Sequence, residues 1–260
     1  MNTLVFDIET VPDVAFGRRL FDLGDLPDEQ VAKAMFARRR QASGGEFLPP
    51  EQQRVVAISC ALRRGDDGFR LWSVGDPESG EGELIRRFFE GIARFSPDLV
   101  SWNGSGFDLP VLGYRALLWG IEAGRFWETG DLDSEFRYNN YVNRYHWRHT
   151  DLMDVLSGFS GRNRVSLANM ALLLGLPGKL GFAGDQVWDA YQRGDLPGIR
   201  NYCETDVLNT YLIYLRFERL RGRLMAAEHD AELALVRAHL AASYREHHQQ
   251  FLAAWKSAPG

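Results

Sequence analysis

Three short stretches of this 260-residue chain place acids where an ordinary core element would not. In Phe6-Asp7-Ile8-Glu9-Thr10 two carboxylates alternate with apolar neighbours. In an extended strand both leave the same face, about 6–7 Å apart. On a mostly buried strand such like charges repel, and each costs desolvation. A divalent cation removes both penalties. The second stretch, Ser-Trp-Asn-Gly-Ser-Gly-Phe-Asp-Leu-Pro at 101–110, breaks a strand into a Gly-rich turn and delivers Asp108 at the start of a helix. In the third, Tyr202 and Asp206 stand four apart within a helical pattern and share one face. Each stretch alone has an ordinary reading: acids at a strand end, an Asp capping a helix with Pro110 in its first turn, an amphipathic helix with a partly buried Tyr. Together, in this order, they point to a cluster of oxygen ligands. Oxygen-only ligands favour Mg2+ or Mn2+ over zinc, whose usual Cys and His ligands do not cluster in the sequence.

The elements that must position these acids follow from periodicity. Residues 3–11 read as a strand ended by Pro12. The polar stretch to Arg54 exceeds ordinary connections, so it is expected to be a lid, to carry its own helix over about 28–42, or to be partly mobile. Strands at 55–62 and 69–74 flank Arg-Arg-Gly-Asp-Asp-Gly, a hairpin signal. Helical spacing covers 82–95, with Leu84, Ile85, Phe88, Phe89 and Ile92 on one stripe, and then 109–119, 166–174 and 199–220. Short strands are expected at 99–102 and 149–152. Three antiparallel strands followed by βα alternation make an α/β fold, a mixed sheet covered by helices. Over 226–255 Leu233, Val236, Leu240, Tyr244, Phe251 and Trp255 fall near one helical stripe suited to packing on the domain or on a second copy.

Composition narrows the function. Hydrophobic residues are 45% and charged residues 25%, which are globular proportions. Lys and Arg total 30 against 35 Asp and Glu, a net charge of −5. That balance argues against non-specific coating of nucleic acid by counterion release, and leaves room for a local basic rim aided by metal ions. Residues 137–149 interleave Arg, Tyr, His and Trp with no acid, as suits phosphate contact and base stacking on a single strand. Cys60 and Cys203 form no metal-like spacing and read as free thiols. No signal peptide and no membrane-length apolar run are seen, so a cytoplasmic protein is expected. Gly104 and Gly106 supply a GxG after a strand, but Leu109 stands where a dinucleotide site has its third Gly, so no nicotinamide cofactor is expected.

With these motifs the chain resembles the DEDD superfamily of 3′-5′ exonucleases, and among them the proofreading-type exonucleases related to family B DNA polymerases. Asp7 and Glu9 match the first motif, Asn103, Phe107 and Asp108 the second, Tyr202 and Asp206 the third. Asn201 stands where the histidine subclass has His, which makes the match tyrosine-type. Ser-Leu-Ala-Asn-Met-Ala at 166–171 and Gly-Leu-Pro-Gly-Lys at 175–179 resemble the stretch between the second and third motifs. The resemblance covers about 1–220 and implies a ribonuclease H-like domain over 1–222, with a mixed five- to six-stranded sheet, and a helical tail over 223–260. Only about 40 residues remain, so a stand-alone nuclease is expected.

The resemblance further implies two-metal hydrolysis of a terminal phosphodiester, with two Mg2+ or Mn2+ ions about 3.5–4 Å apart. Asp7 would bridge both ions, Glu9 and Asp206 would hold the first, and Asp108 the second. Tyr202 would orient the attacking water. Ile8, Thr10, Asn103 and Phe107 would contact the end of the strand. The expected substrate is single-stranded DNA or frayed 3′ ends. The same chemistry on RNA is the alternative, and an inactive nucleic-acid-binding module a lesser one.

Overall fold

The computed structural model describes residues 2–65 and 68–255; Asp66 and Asp67 of the expected hairpin turn lie outside the described residues. Strand β1 (Asn2–Pro12) is followed by helices α1 (Val14–Phe21) and α2 (Asp28–Ser43). The long polar stretch thus carries the helix expected of it and a shorter one besides. Gly17 of α1 sits directly on the Met35 side chain of α2, where a Cβ would overlap the thioether. The hairpin is β2 (Gln53–Arg64) and β3 (Phe69–Ser73), and α3 (Glu81–Phe95) crosses over to β4 (Asp98–Ser101). Next come α4 (Asp108–Trp119), α5 (Gly124–Trp127), β5 (His149–Asp151), α6 (Leu152–Leu156), α7 (Leu167–Leu173) and α8 (Val187–Gln192). The chain then forms the long α9 (Leu196–Leu220), α10 (Ala226–Ala241) and α11 (Glu246–Ala254).

The sheet has five strands in the order β3-β2-β1-β4-β5. The first three pair antiparallel, while β4 joins β1 and β5 joins β4 in parallel. This is the mixed sheet expected. β1 lies at its centre with both faces covered, so apolar residues run through it almost without interruption. Leu4, Phe6 and Ile8 pack with the apolar stripe of α3 and with Val111, Leu112 and Ala116 of α4. Val5 packs on the other face with Val207, Leu208, Tyr211 and Leu212 of α9. A third cluster, formed by Val11, Ala57, Val187, Ala190, Ile199 and Cys203, seats the first half of α9 beneath β1.

Three local expectations are corrected. Strand β5 stops at Asp151 instead of Leu152, because the Asp151 carboxylate accepts the amides of Met153 and Asp154 and opens α6. Asp108 starts α4 but does not cap it; the capping position belongs to Phe107. Tyr244 leaves the C-terminal stripe: it falls in the break between α10 and α11 and is fully exposed. Val236, Leu240, Phe251 and Trp255 do join α9 in the core. Among the described residues no helix is long and apolar enough to cross a membrane.

One buried ion network ties the site's supports together. Arg115 of α4 donates through Nε and Nη2 to Glu81 of α3 at 2.8 and 2.6 Å, and through Nη1 to Asp13 just beyond β1. Glu81 also accepts the Val55 amide and Trp119 Nε1, at 2.7 and 2.9 Å.

Candidate active site

The ladder between β1 and β4 registers Thr3 with Asp98 and ends at Val5 with Val100. β4 then turns away after Ser101 while β1 runs on, which leaves later amides on that edge of β1 without a strand partner. The Ile8 amide is taken by the Asp108 carboxylate, at 3.2 Å. Asp108 reaches it through the Gly-rich turn, where Asn103 adopts a left-handed φ of 67°. Asp151 holds that turn by accepting the amides of Asn103 and Ser105, both at 2.9 Å. Gly104 passes so close to Ser101 that no Cβ would fit, and Ser101 Oγ is in turn bonded to His149 Nε2 at 2.8 Å.

Asp7 and Glu9 leave β1 toward α9, and a register shift after Glu9 ends the regular alternation there. From α9 the Cys203 thiol donates to the Asp7 carbonyl at 3.3 Å and to its Oδ2 at 3.6 Å. Tyr202 stands one turn before Asp206 on the same face of α9, close enough to act on its carboxyl, and its ring packs on Phe182 at 4.9 Å. The four sequence-marked carboxylates and Tyr202 are therefore brought together from β1, α4 and α9.

Their charges are mutually costly. Burial, then repulsion from Asp108, Glu9 and Asp206, lifts Asp7 well above the usual carboxylate range. Burial, then Asp206 and Asp108, does the same to Glu9 against the relief of Lys179. Asp108 is pushed up to about 7 and Asp206 to about 6, each mainly by burial. Burial and the neighbouring acids hold the Tyr202 phenol protonated far above its ordinary range. Clustered oxygen donors short of positive charge fit hard divalent cations, which would relieve the repulsion.

The same arithmetic gives a pH dependence for metal-free protein. A carboxyl raised on folding binds its proton more tightly in the native chain. Its contribution is complete below the ordinary value near 4 and is lost as pH rises through about 7, the Asp108 value. In EDTA the wild-type Tm should therefore fall between pH 5 and pH 8 by roughly 4–8 °C more than that of Asp108→Asn, the equivalent of about 2 kcal/mol. Parallel calorimetric curves for the two proteins would refute this.

The remaining sequence candidates sit nearby in different ways. Ile8 buries its side chain in the core and offers only its backbone. Thr10 is half-buried just past the register shift. Asn103 has a buried Oδ1 with no hydrogen-bond partner among the described residues. Phe107 packs on Phe47 with ring centroids 4.8 Å apart and planes tilted by 53°, so the segment after α2 reaches the site. Much of 137–149 is committed to packing: Arg148 lies over the Phe136 and Tyr141 rings, and His149 is buried. Tyr138 and Tyr145 of that segment are exposed.

Three contributors carried no usable sequence signal as site residues: Phe47 is a single residue in a loop, Cys203 is hidden between two marked positions, and Asp151 read only as part of a strand. Lys179 was marked only as the end of the 175–179 stretch. Nor did the sequence show that Cys and His donors cluster in space: Cys203 stands with Asp7 and Glu9, and His247 and His248 with Glu204. The second group is already saturated. Glu204 accepts from Arg245 Nη1 at 2.8 and 2.9 Å and from Ser73 at 2.8 Å, with His247 and His248 Nε2 at 2.8 and 3.1 Å. It is a staple holding α11 to α9, on the stretch of helix between Tyr202 and Asp206.

The profile of a family described as a predicted 3′-5′ exonuclease related to the exonuclease domain of PolB matches residues 45–255. A DNA polymerase of Archaeoglobus fulgidus is 29% identical over 172 residues, 64% of this chain and 21% of the polymerase. One from Pyrococcus glycovorans is 32% identical over 119 residues, 42% of this chain and 15% of its own length. The solved family B DNA polymerase of Pyrobaculum calidifontis aligns over 93% of this chain and 28% of its own, at 17% identity and a TM-score of 0.46. The chain thus spans about a fifth of the length of the polymerases it matches. By the extent of the profile match, the protein belongs to the family of predicted 3′-5′ exonucleases related to the exonuclease domain of PolB.

Proposed function

We propose that the protein is a metal-dependent 3′-5′ exonuclease that hydrolyses terminal phosphodiesters of single-stranded DNA or frayed 3′ ends and releases nucleoside 5′-monophosphates. The observation that carries this is the convergence of Asp7, Glu9, Asp108 and Asp206, with Tyr202 one helical turn from Asp206. These four carboxylates would hold two divalent cations. Bound there, such ions would activate the attacking water and stabilise the leaving oxygen.

The chain's own groups do the rest. Burial and the neighbouring acids favour the protonated Tyr202 phenol, which suits it to hold and orient the attacking water. Lys179 offsets charge at Glu9 and Asp206 and would supply a counter-charge to a phosphate bound there. Asn103 Oδ1, buried and unpartnered among the described residues, would accept from a substrate hydroxyl or base N–H once the turn opens to the strand. Phe107, backed by Phe47, offers a ring to the terminal base. DNA is favoured because the curated relatives are DNA polymerases.

The test is a gel assay of 5′-labelled single-stranded DNA and its RNA counterpart. A ladder shortening from the 3′ end with Mn2+ or Mg2+, and lost in EDTA, is the expected result; the faster substrate decides between DNA and RNA. No cleavage of either would reject the reading. Tyr202→Phe should lower kcat by about 10- to 100-fold while Mn2+ binding, read by calorimetric titration, keeps its stoichiometry. An unchanged kcat would remove the assigned role.

A further inference from the structure

A cavity of about 710 Å3 lies between α4 and the segments around residues 123–127 and 141–144. Ser105 and Gly106 line it, and they belong to the same turn as Asn103, Phe107 and Asp108. Two large rings line it with much of their surface exposed: Tyr114 is 51% and Trp127 59% accessible. Its rim carries Arg144 and Arg164, which share one buried carboxylate, that of Asp154, at 2.8 and 2.7 Å. Two guanidiniums on one acid leave a net positive charge beside an aromatic wall. A groove with exposed aromatic faces and a cationic rim suits bases that stack and phosphates that need a counter-charge. The cavity beside Tyr202, on the α9 side, is only about 200 Å3, below the usual size of a pocket for a ligand of several hundred daltons.

We propose that this groove binds the nucleotides of the substrate strand on the 5′ side of the scissile bond. Their bases lie against Tyr114 and Trp127, and their phosphates approach Arg144 and Arg164. The assignment rests on the exonuclease reading above and adds a consequence to it: the enzyme measures strand length. A dinucleotide fills the acid cluster and leaves the groove empty, whereas a longer strand occupies both. Each base stacked in the groove should raise apparent affinity about tenfold or more.

The decisive quantity is the ratio of kcat/KM for octathymidylate to that for dithymidylate with Mn2+. The most telling variant is Gly113→Leu. A Cβ at Gly113 meets only Trp127 Cζ2, at 3.9 Å, so the new side chain projects into the groove without disturbing the core. Trp127→Ala removes a stacking face, and Arg144→Gln removes a rim charge while Arg164 still bonds Asp154. The expected wild-type ratio is on the order of 100, falling about tenfold in Gly113→Leu and in Trp127→Ala, and less in Arg144→Gln. A wild-type ratio near one, or variants that keep the wild-type ratio as they would if the groove served a protein partner, overturns the groove assignment and leaves the exonuclease reading standing. No hydrolysis of either substrate overturns that reading instead. The groove is then judged by fluorescence anisotropy of labelled octathymidylate in EDTA: weaker binding by Gly113→Leu and Trp127→Ala supports it, and unchanged binding overturns it.

Discussion

Asp7→Ala should lose at least about 10^3-fold in kcat, equivalent to about 4 kcal/mol of transition-state stabilisation. Asp7 is the acid that feels the most partners, since Asp108, Glu9 and Asp206 all press on it. It stands where the acids of β1, α4 and α9 meet, so its removal disrupts the whole donor set. The same substitution should make metal-free protein more stable, because it deletes a buried carboxylate that pays desolvation and repulsion together. The Cys203 thiol keeps a partner, since it also donates to the Asp7 backbone carbonyl. The paired signature, loss of turnover with a higher Tm in EDTA, separates a site residue from one that merely supports the fold. Single-turnover cleavage within tenfold of wild type would refute the assignment, and a lower Tm in EDTA would refute the electrostatic account. Asp7→Asn, which keeps the shape, should behave alike in both measurements.

Arg115→Ala should have the largest effect on stability, about 3–5 kcal/mol, or a fall in Tm of roughly 10 °C. Arg115 is 6% exposed, and Glu81 and Asp13 are 4% and 7% exposed, so both acids would be left buried with their cation gone. Other donors remain: the Val55 amide and Trp119 Nε1 on Glu81, and the Phe16 amide on Asp13. They satisfy single oxygens but supply no positive charge. The loss also frees α4 from α3 and from the segment after β1, and α4 carries Asp108. The triple change Arg115→Met, Glu81→Gln, Asp13→Asn should recover most of the stability, because a buried ion network replaced as a whole costs little. A Tm for Arg115→Ala within about 2 °C of wild type would show that the network does not hold these elements.

Much of this was legible in the sequence for identifiable reasons. Strand β1 announces itself by apolar residues interrupted at every second position by acids, a pattern too expensive to arise for packing alone. Helix α3 shows its stripe from Leu84 to Ile92, Asp-x-Glu and Tyr-x-x-x-Asp each lie within one element, where spacing dictates direction, and Asn-x-x-x-Phe-Asp spans a turn and the first residue of α4. The contacts that hold those elements in place are different in kind. Glu81 and Arg115 are isolated charges on two helices, and nothing in their local pattern says that they meet. The Asp151 carboxylate supports a turn nearly 50 residues upstream, and that pairing exists only once β5 lies beside β4. Lys179 comes near Glu9 through the loop leading to α8, where no periodicity guides a reader. Tyr244 misled because the helical stripe continues on paper across a break in the chain.

The staple at Glu204 also sets an order of events in time. Its carboxylate lies within α9 between Tyr202 and Asp206, and apart from Ser73 its partners come from residues 245–248. The acids of β1 leave the ribosome about 240 residues before these partners, a delay of about 10–50 s at ordinary rates of translation. Until then α9 would have to bury a carboxylate with its cation missing. Over that interval the nascent chain carries its acids without the finished site, and α11 completes a setting that β1 began.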